Sequence, residues 1–353
     1  MAKRSMMSVW AGGLQRSLKQ AARRQMKVGF KALGESMKVA QDSSLGGSTR
    51  KAAAPRVDGD WLSGVTLGAG GARRFKLYRP PELLPGERLP LLLMLHGCGQ
   101  TANAFALSTR MNSLAAREGF MVLYPEQDRL ANPQACWNWF DTASGKAYGE
   151  AGLILRALDQ VCARHPVDRS RVAVAGLSAG ASMAALLAIR HPERFKAVVM
   201  HSGVPPGTAH SGLTALGAMK GRRSTRSLAV SAAAMGLTPG STLPPLLVIH
   251  GVRDLVVADD NAHAAVQAWA EATGARAGRA RQQGRGKRYP MQLTDFKAGT
   301  RLVARLVEVS ALGHAWSGGA KSQAFSDPQG PDASRMVWRF VSRSFDAEWR
   351  RRG

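Results

Sequence analysis

The apolar positions of this chain switch repeatedly between short unbroken runs and helical spacing from Trp61 onward. Phe75-Lys76-Leu77-Tyr78 alternates as an edge strand does, residues 80–90 read as a loop, and Leu91–Leu95 is continuously apolar, as a strand buried on both faces must be. A helix is expected over 103–117, a strand over 120–124, a helix over 149–164 and a strand from Arg171. That last strand meets Gly176-Leu177-Ser178-Ala179-Gly180 and passes at once into an Ala/Leu/Met-rich helix. Strands are expected over 197–200 and 246–249, a helix over 261–271, a pair of strands over 291–296 and 302–309, and a closing helix over 332–345. Short apolar runs alternating with helices imply parallel strands and right-handed crossovers. The expected fold class is therefore α/β, with a mostly parallel central sheet flanked by helices.

Charge divides the chain further. It has 353 residues, 49 Lys+Arg against 24 Asp+Glu, and a net charge of +25. Residues 1–56 hold twelve of those bases and two acids, a net of +10. Leu14, Leu18, Ala22, Met26, Phe30, Leu33 and Met37 recur there at steps of three and four, which predicts a basic amphipathic N-terminal arm, with a Ser/Gly/Ala linker over 41–55. Such an arm seeks a polymer granule or an anionic membrane surface, or docks on its own domain; nucleic acid is the disfavoured partner. Charges interrupt it too often for a secretory signal peptide. The catalytic domain is expected over 57–347, with a Gly/Ala/Ser-rich insertion at 205–245 placed to form a lid, and a basic tail over 348–353. The segment 274–288 carries six Lys/Arg and no acid, and is expected as a solvated loop.

The chemistry centres on Ser178. A G-x-S-x-G turn between strand and helix needs glycine on both sides of the serine for steric reasons, and aims the helix N-terminus at the space above it. A serine hydroxyl requires a histidine to take its proton and a carboxylate to orient that histidine. Asp254 and His314 each lie five residues beyond an apolar run, at strand ends, and the order Ser, Asp, His fits. The other histidines are assigned blander roles; His96 and His250, beside glycines, are expected to stabilise turns. The backbone N–H groups of Cys98 and Ala179 are the candidate oxyanion donors. The Cys98 thiol either packs or pairs with Cys136, whereas Cys162 reads as core. Gln100, Trp137, Trp139 and Trp316 are candidate substrate contacts. No cysteine or histidine spacing points to a metal, and the chemistry needs neither metal nor cofactor.

HGCGQ at 96–100, RMNSLAAREGFMVLYPEQ at 110–127, CWNWF at 136–140, AGLSAG at 175–180, HG..D at 250–254, and GHAWSGG with DPQGPDASR at 313–335 resemble the polyhydroxybutyrate (PHB) depolymerase family of esterases. The resemblance covers about residues 60–345. It implies an α/β-hydrolase fold and a serine esterase acting on 3-hydroxyalkanoate polyester or oligomer bonds, with feruloyl or acetyl esters as the alternative substrates. A rival from another class is a surface-binding protein on a hydrolase scaffold. The family's secreted members imply an extracellular location; without a recognisable signal peptide, a cytoplasmic, granule-associated one is the alternative.

Overall fold

The computed structural model describes residues 57–221, 242–284 and 286–352, with side chains to residue 346. The predicted arm and linker, and residues 222–241 of the predicted insertion, lie outside these. Thirteen strands are described: β1 (Asp60–Gly68), β2 (Gly71–Arg79), β3 (Leu89–Leu95), β4 (Met121–Pro125), β5 (Val167–Leu177), β6 (Val198–His201), β7 (Leu246–Gly251), β8 (Arg276–Ala277), β9 (Arg281–Gln283), β10 (Met291–Ala298), β11 (Arg301–Val309), β12 (Trp316–Ser317) and β13 (Ser326–Asp327). The main sheet runs β1-β2-β4-β3-β5-β6-β7-β11-β10-β8, and β9 also pairs with β10. From β4 through β11 every neighbouring pair is parallel, while β1, β2 and the β8 to β10 edge are antiparallel.

The described α-helices are α1 (Ala102–Thr109), α2 (Met111–Glu118), α3 (Lys146–Arg164), α4 (Ala179–Arg190), α5 (Gly212–Met219), α6 (Asp260–Thr273) and α7 (Ala333–Arg352). They cover both faces of the sheet, which explains the unbroken apolar runs. Along β3, Leu91, Leu93 and Leu95 join the core beneath α3, α4 and α6, and the intervening Leu92 and Met94 join the core beneath α1, α2 and α7. A strand packed on both sides has no polar face to display. None of the described helices is long and apolar enough to cross a membrane.

Four expectations change. The helix expected over 103–117 is two helices, because Arg110 adopts a left-handed conformation (φ 53°) that closes α1 and opens α2. Phe75–Tyr78 belongs to β2, and the edge is taken by β1, whose exposed Val65 and Leu67 hid its alternation. Part of the expected 274–288 loop forms β8 and β9: their side chains are exposed, so no apolar pattern marks them, and they are held by the β10 ladder. The closing helix continues to Arg352, through most of the expected basic tail.

Candidate active site

Ser178 stands where β5 ends and α4 begins, at φ 56° and ψ −123°, a strained backbone for a residue with a side chain. The turn leaves no room on either side. A Cβ on Gly176 would lie 2.3 Å from the Gly180 carbonyl, and one on Gly180 would lie 2.1 Å from the Leu95 oxygen. The strain therefore persists because strand and helix packing hold it. His314 Nε2 lies 3.0 Å from Ser178 Oγ, and His314 Nδ1 lies 2.7 Å from Asp254 Oδ2. All three groups are buried.

Asp254 is itself fixed, since its Oδ1 accepts the Val256 and Val257 amides, each at 2.9 Å. Burial alone would push its pKa up, but the charge and hydrogen bond of His314, then His250 and the Val257 amide, hold it down at about 2. It is ionised at neutral pH. With Nδ1–H donating to that carboxylate, Nε2 is left to accept from the serine hydroxyl. An imidazole so placed can take the hydroxyl proton while the carboxylate offsets the charge that develops.

The loop after β3 passes over the serine: a Cβ on Gly97 would stand 3.6 Å from Ser178 Cβ. Neither the Cys98 nor the Ala179 backbone N–H donates to another group among the described residues. Cys98 is joined to Cys136 by a disulfide, and Gly99 N–H donates to Gln134 O at 2.8 Å. Gln100 turns inward. Its Oε1 accepts the Gly97 amide at 2.9 Å, and it does not line the cleft.

A cleft opens beside Ser178. Trp137, Trp139 and Phe140 wall one part of it, with Leu216 and Met219 of α5, Val204 and Val257 on others. Helix α5 belongs to the described part of the expected insertion. It is tied to the Asp254 loop by Ala258 N–H to Met219 O (2.8 Å) and Asn261 Nδ2 to Ala218 O (3.0 Å). The expected contact of Trp316 with substrate is corrected: its ring stacks on His201 at 5.0 Å, meets Phe105 edge-on, and donates from Nε1 to Ser334 Oγ. It lies outside the cleft lining.

Three buried histidines near the site do other work. His96 Nδ1–H donates to Gly97 O, and its Nε2 accepts the Gln127 amide at 3.1 Å. His201 Nε2 accepts the Ser317 amide at 3.2 Å, bracing the loop that carries His314. His250 Nε2–H donates to Val257 O at 2.9 Å. Burial lowers all three, His96 to about 4 and His201 to about 3. Sequence reasoning missed Arg73, Gln127 and Glu150, which form a buried cluster behind the aromatic wall. Gln127 and Asn138 fell inside recognised runs, but nothing in the sequence pattern tied them to Glu150. Among the described residues no group of three or more His, Cys, Asp or Glu could hold a metal ion.

A strand order of this kind with a strained serine at the central strand-helix turn defines an α/β-hydrolase. The sequence profile described as "Esterase PHB depolymerase" matches residues 73–287. The chain belongs to that family. It is 34% identical over 209 residues to a poly(3-hydroxyalkanoate) depolymerase C of Paucimonas lemoignei, a match spanning 58% of this chain and half the length of that relative. It is 30% identical over 210 residues to a feruloyl esterase B of Neurospora crassa, spanning 57% of this chain and 70% of that one. Among solved structures, the acetyl xylan esterase from Aspergillus awamori superposes with a TM-score of 0.60 at 20% identity, over 72% of this chain and 94% of that one.

Proposed function

We propose that the chain is a serine esterase of 3-hydroxyalkanoate oligomers or polyester, with Ser178 as nucleophile, His314 as general base and acid, and Asp254 as the carboxylate that orients it. The reading is carried by the contact chain Ser178–His314–Asp254, at 3.0 and 2.7 Å, beside an apolar cleft. His314 Nε2 takes the Oγ proton as Oγ bonds to the ester carbon. The oxyanion so formed is held by the Cys98 and Ala179 N–H groups; one such donor is typically worth about 10²–10³ in rate. Collapse of the tetrahedral intermediate breaks the bond to the alcohol oxygen, which receives the proton from His314, and leaves an acyl-Ser178. Water then gives a proton to His314 and a hydroxyl to the acyl carbon, and the proton returns to Ser178 as the acid leaves.

The aliphatic part of the cleft, from Val204, Leu216, Met219 and Val257, suits a short branched hydroxyacyl unit, in keeping with the similarity to the Paucimonas lemoignei depolymerase. The indoles of Trp137 and Trp139 favour a second reading, a planar feruloyl group, in keeping with the similarity to the feruloyl esterase. The test is a panel of 3-hydroxybutyrate oligomers, polymer granules, feruloyl esters and p-nitrophenyl esters, run beside Ser178→Ala. The oligomers are expected to give the highest kcat/KM, with no turnover by the variant. A faster feruloyl ester would overturn the substrate assignment, and wild-type turnover by Ser178→Ala would overturn the nucleophile.

A further inference from the structure

Behind the cleft wall lies a buried polar network that proton transfer at Ser178 does not use. Glu150, near the start of α3, is 4% exposed. Its carboxylate accepts Gln127 Nε2 at 2.8 Å, the Asn138 backbone N–H at 2.9 Å, and Asn138 Nδ2. Asn138 stands between Trp137 and Trp139 in sequence, and its Oδ1 accepts from Asn132 Nδ2 at 3.0 Å. The Gln127 amide reaches back to Cys136 O at 2.9 Å. On its other side, Gln127 Oε1 accepts from the buried Arg73 guanidinium, which lies 5.1 Å from the centre of the Trp137 ring. The wall from Cys136 to Asn138 is therefore gripped through Gln127 and Glu150.

Burying a carboxylate is costly unless N–H donors replace its water, and donors to an ionised group make the stronger hydrogen bonds. Here three donors converge, two of them from the one residue that separates the two indoles. A neutral glutamine of the same shape would turn an NH₂ toward groups that themselves donate. We propose that Glu150 is a positioning residue of the ester site: its carboxylate fixes Asn138 and so sets Trp137 and Trp139 at the spacing that grips a substrate chain. The inference rests on the reading of Ser178 as nucleophile. It predicts that the network governs binding of groups that fill the cleft and leaves the chemistry to the triad.

The test compares the full-length chain with Glu150→Gln, Asn138→Ala and the double variant, on p-nitrophenyl acetate and p-nitrophenyl butyrate. Labelling by a fluorophosphonate first counts reactive serines; an unlabelled wild type would mean that the nucleophile reading has failed, not this one. Per labelled site, Glu150→Gln is expected to raise KM for the butyrate about tenfold, the effect of one charge-assisted hydrogen bond, with kcat changed by less than about threefold. KM for the acetate should move by less than about twofold. The double variant should be no worse than the worse single variant, because Glu150 acts through Asn138. Should Glu150→Gln not fold, Asn138→Ala carries the same comparison of the two esters. An equal fall in kcat on both esters with KM unchanged, or losses that simply add in the double variant, would overturn the proposal.

Discussion

Lowering the pH from 7 to 5 should cost the fold about 4 kcal/mol through two imidazoles alone, His96 and His201. Each is buried, and each accepts a backbone N–H at Nε2 while donating or facing a partner at Nδ1. Burial disfavours the charged imidazole, and a proton added at Nε2 would in addition set two N–H groups against each other. Their folded pKa values are accordingly about 4 and about 3, against 6.5 unfolded. Since the folded value is the lower one, the unfolded chain binds more protons as pH falls. The stability these groups lend is present above pH 6.5 and is lost below it. At pH 5 the unfolded imidazoles are almost fully charged and the folded ones almost neutral, which amounts to about 2 kcal/mol each relative to pH 7. His201→Gln keeps an acceptor for Ser317 N–H but cannot titrate. Its urea-denaturation free energy, measured at pH 7 and pH 5, should fall by about 2 kcal/mol less than that of the wild type. Equal losses in the two proteins would refute the assignment of a neutral, proton-refusing His201.

Two further substitutions probe the serine turn and its loop. Gly180→Ala places a methyl 2.1 Å from the Leu95 oxygen and 2.5 Å from the His96 oxygen, both backbone atoms. It should remove about 3 kcal/mol or more of stability, read as a fall in Tm, and a wild-type Tm would contradict the packing described for the turn. Cys136→Ser opens the disulfide that ties Cys98 to the aromatic wall across 38 residues. Chain entropy puts the loss at about 4 kcal/mol, and kcat should fall with it if the Cys98 amide serves as an oxyanion donor; unchanged stability and kcat would remove that role.

Much of the fold could be read from sequence because parallel strands covered on both faces become plain apolar runs. Leu91–Leu95, 120–124 and 246–249 announce themselves in this way, and the residues that follow each run fall at the same end of the sheet. What was hidden lacks that signature. β8 and β9 expose every side chain, so only the ladder to β10 defines them. The break at Arg110 interrupts no apolar period, because α1 and α2 both bury one face on either side of it. Trp316 misled for a related reason. Its place two residues after His314 suggested the cleft, but loop direction, which periodicity does not encode, turns its ring onto His201 instead.

The same distinction separates the groups that meet at Ser178 from those that support them. Ser178, Asp254 and His314 are marked locally, each by strand ends and by turns whose geometry demands particular residues. Glu150 carries no such mark: it is one acid on an amphipathic helix, which a sequence reader assigns to solvent. Its meaning comes from three donors on segments up to 23 positions away, and its burial appears only when α3 is laid against the loop that follows β4. A supporting carboxylate must be excluded from water to hold its donors firmly, so the residues that shape the cleft are drawn from those whose chemistry contradicts their surroundings. In this fold that contradiction, a buried charged side chain with its donors all on one wall, locates a supporting residue that motif order could not.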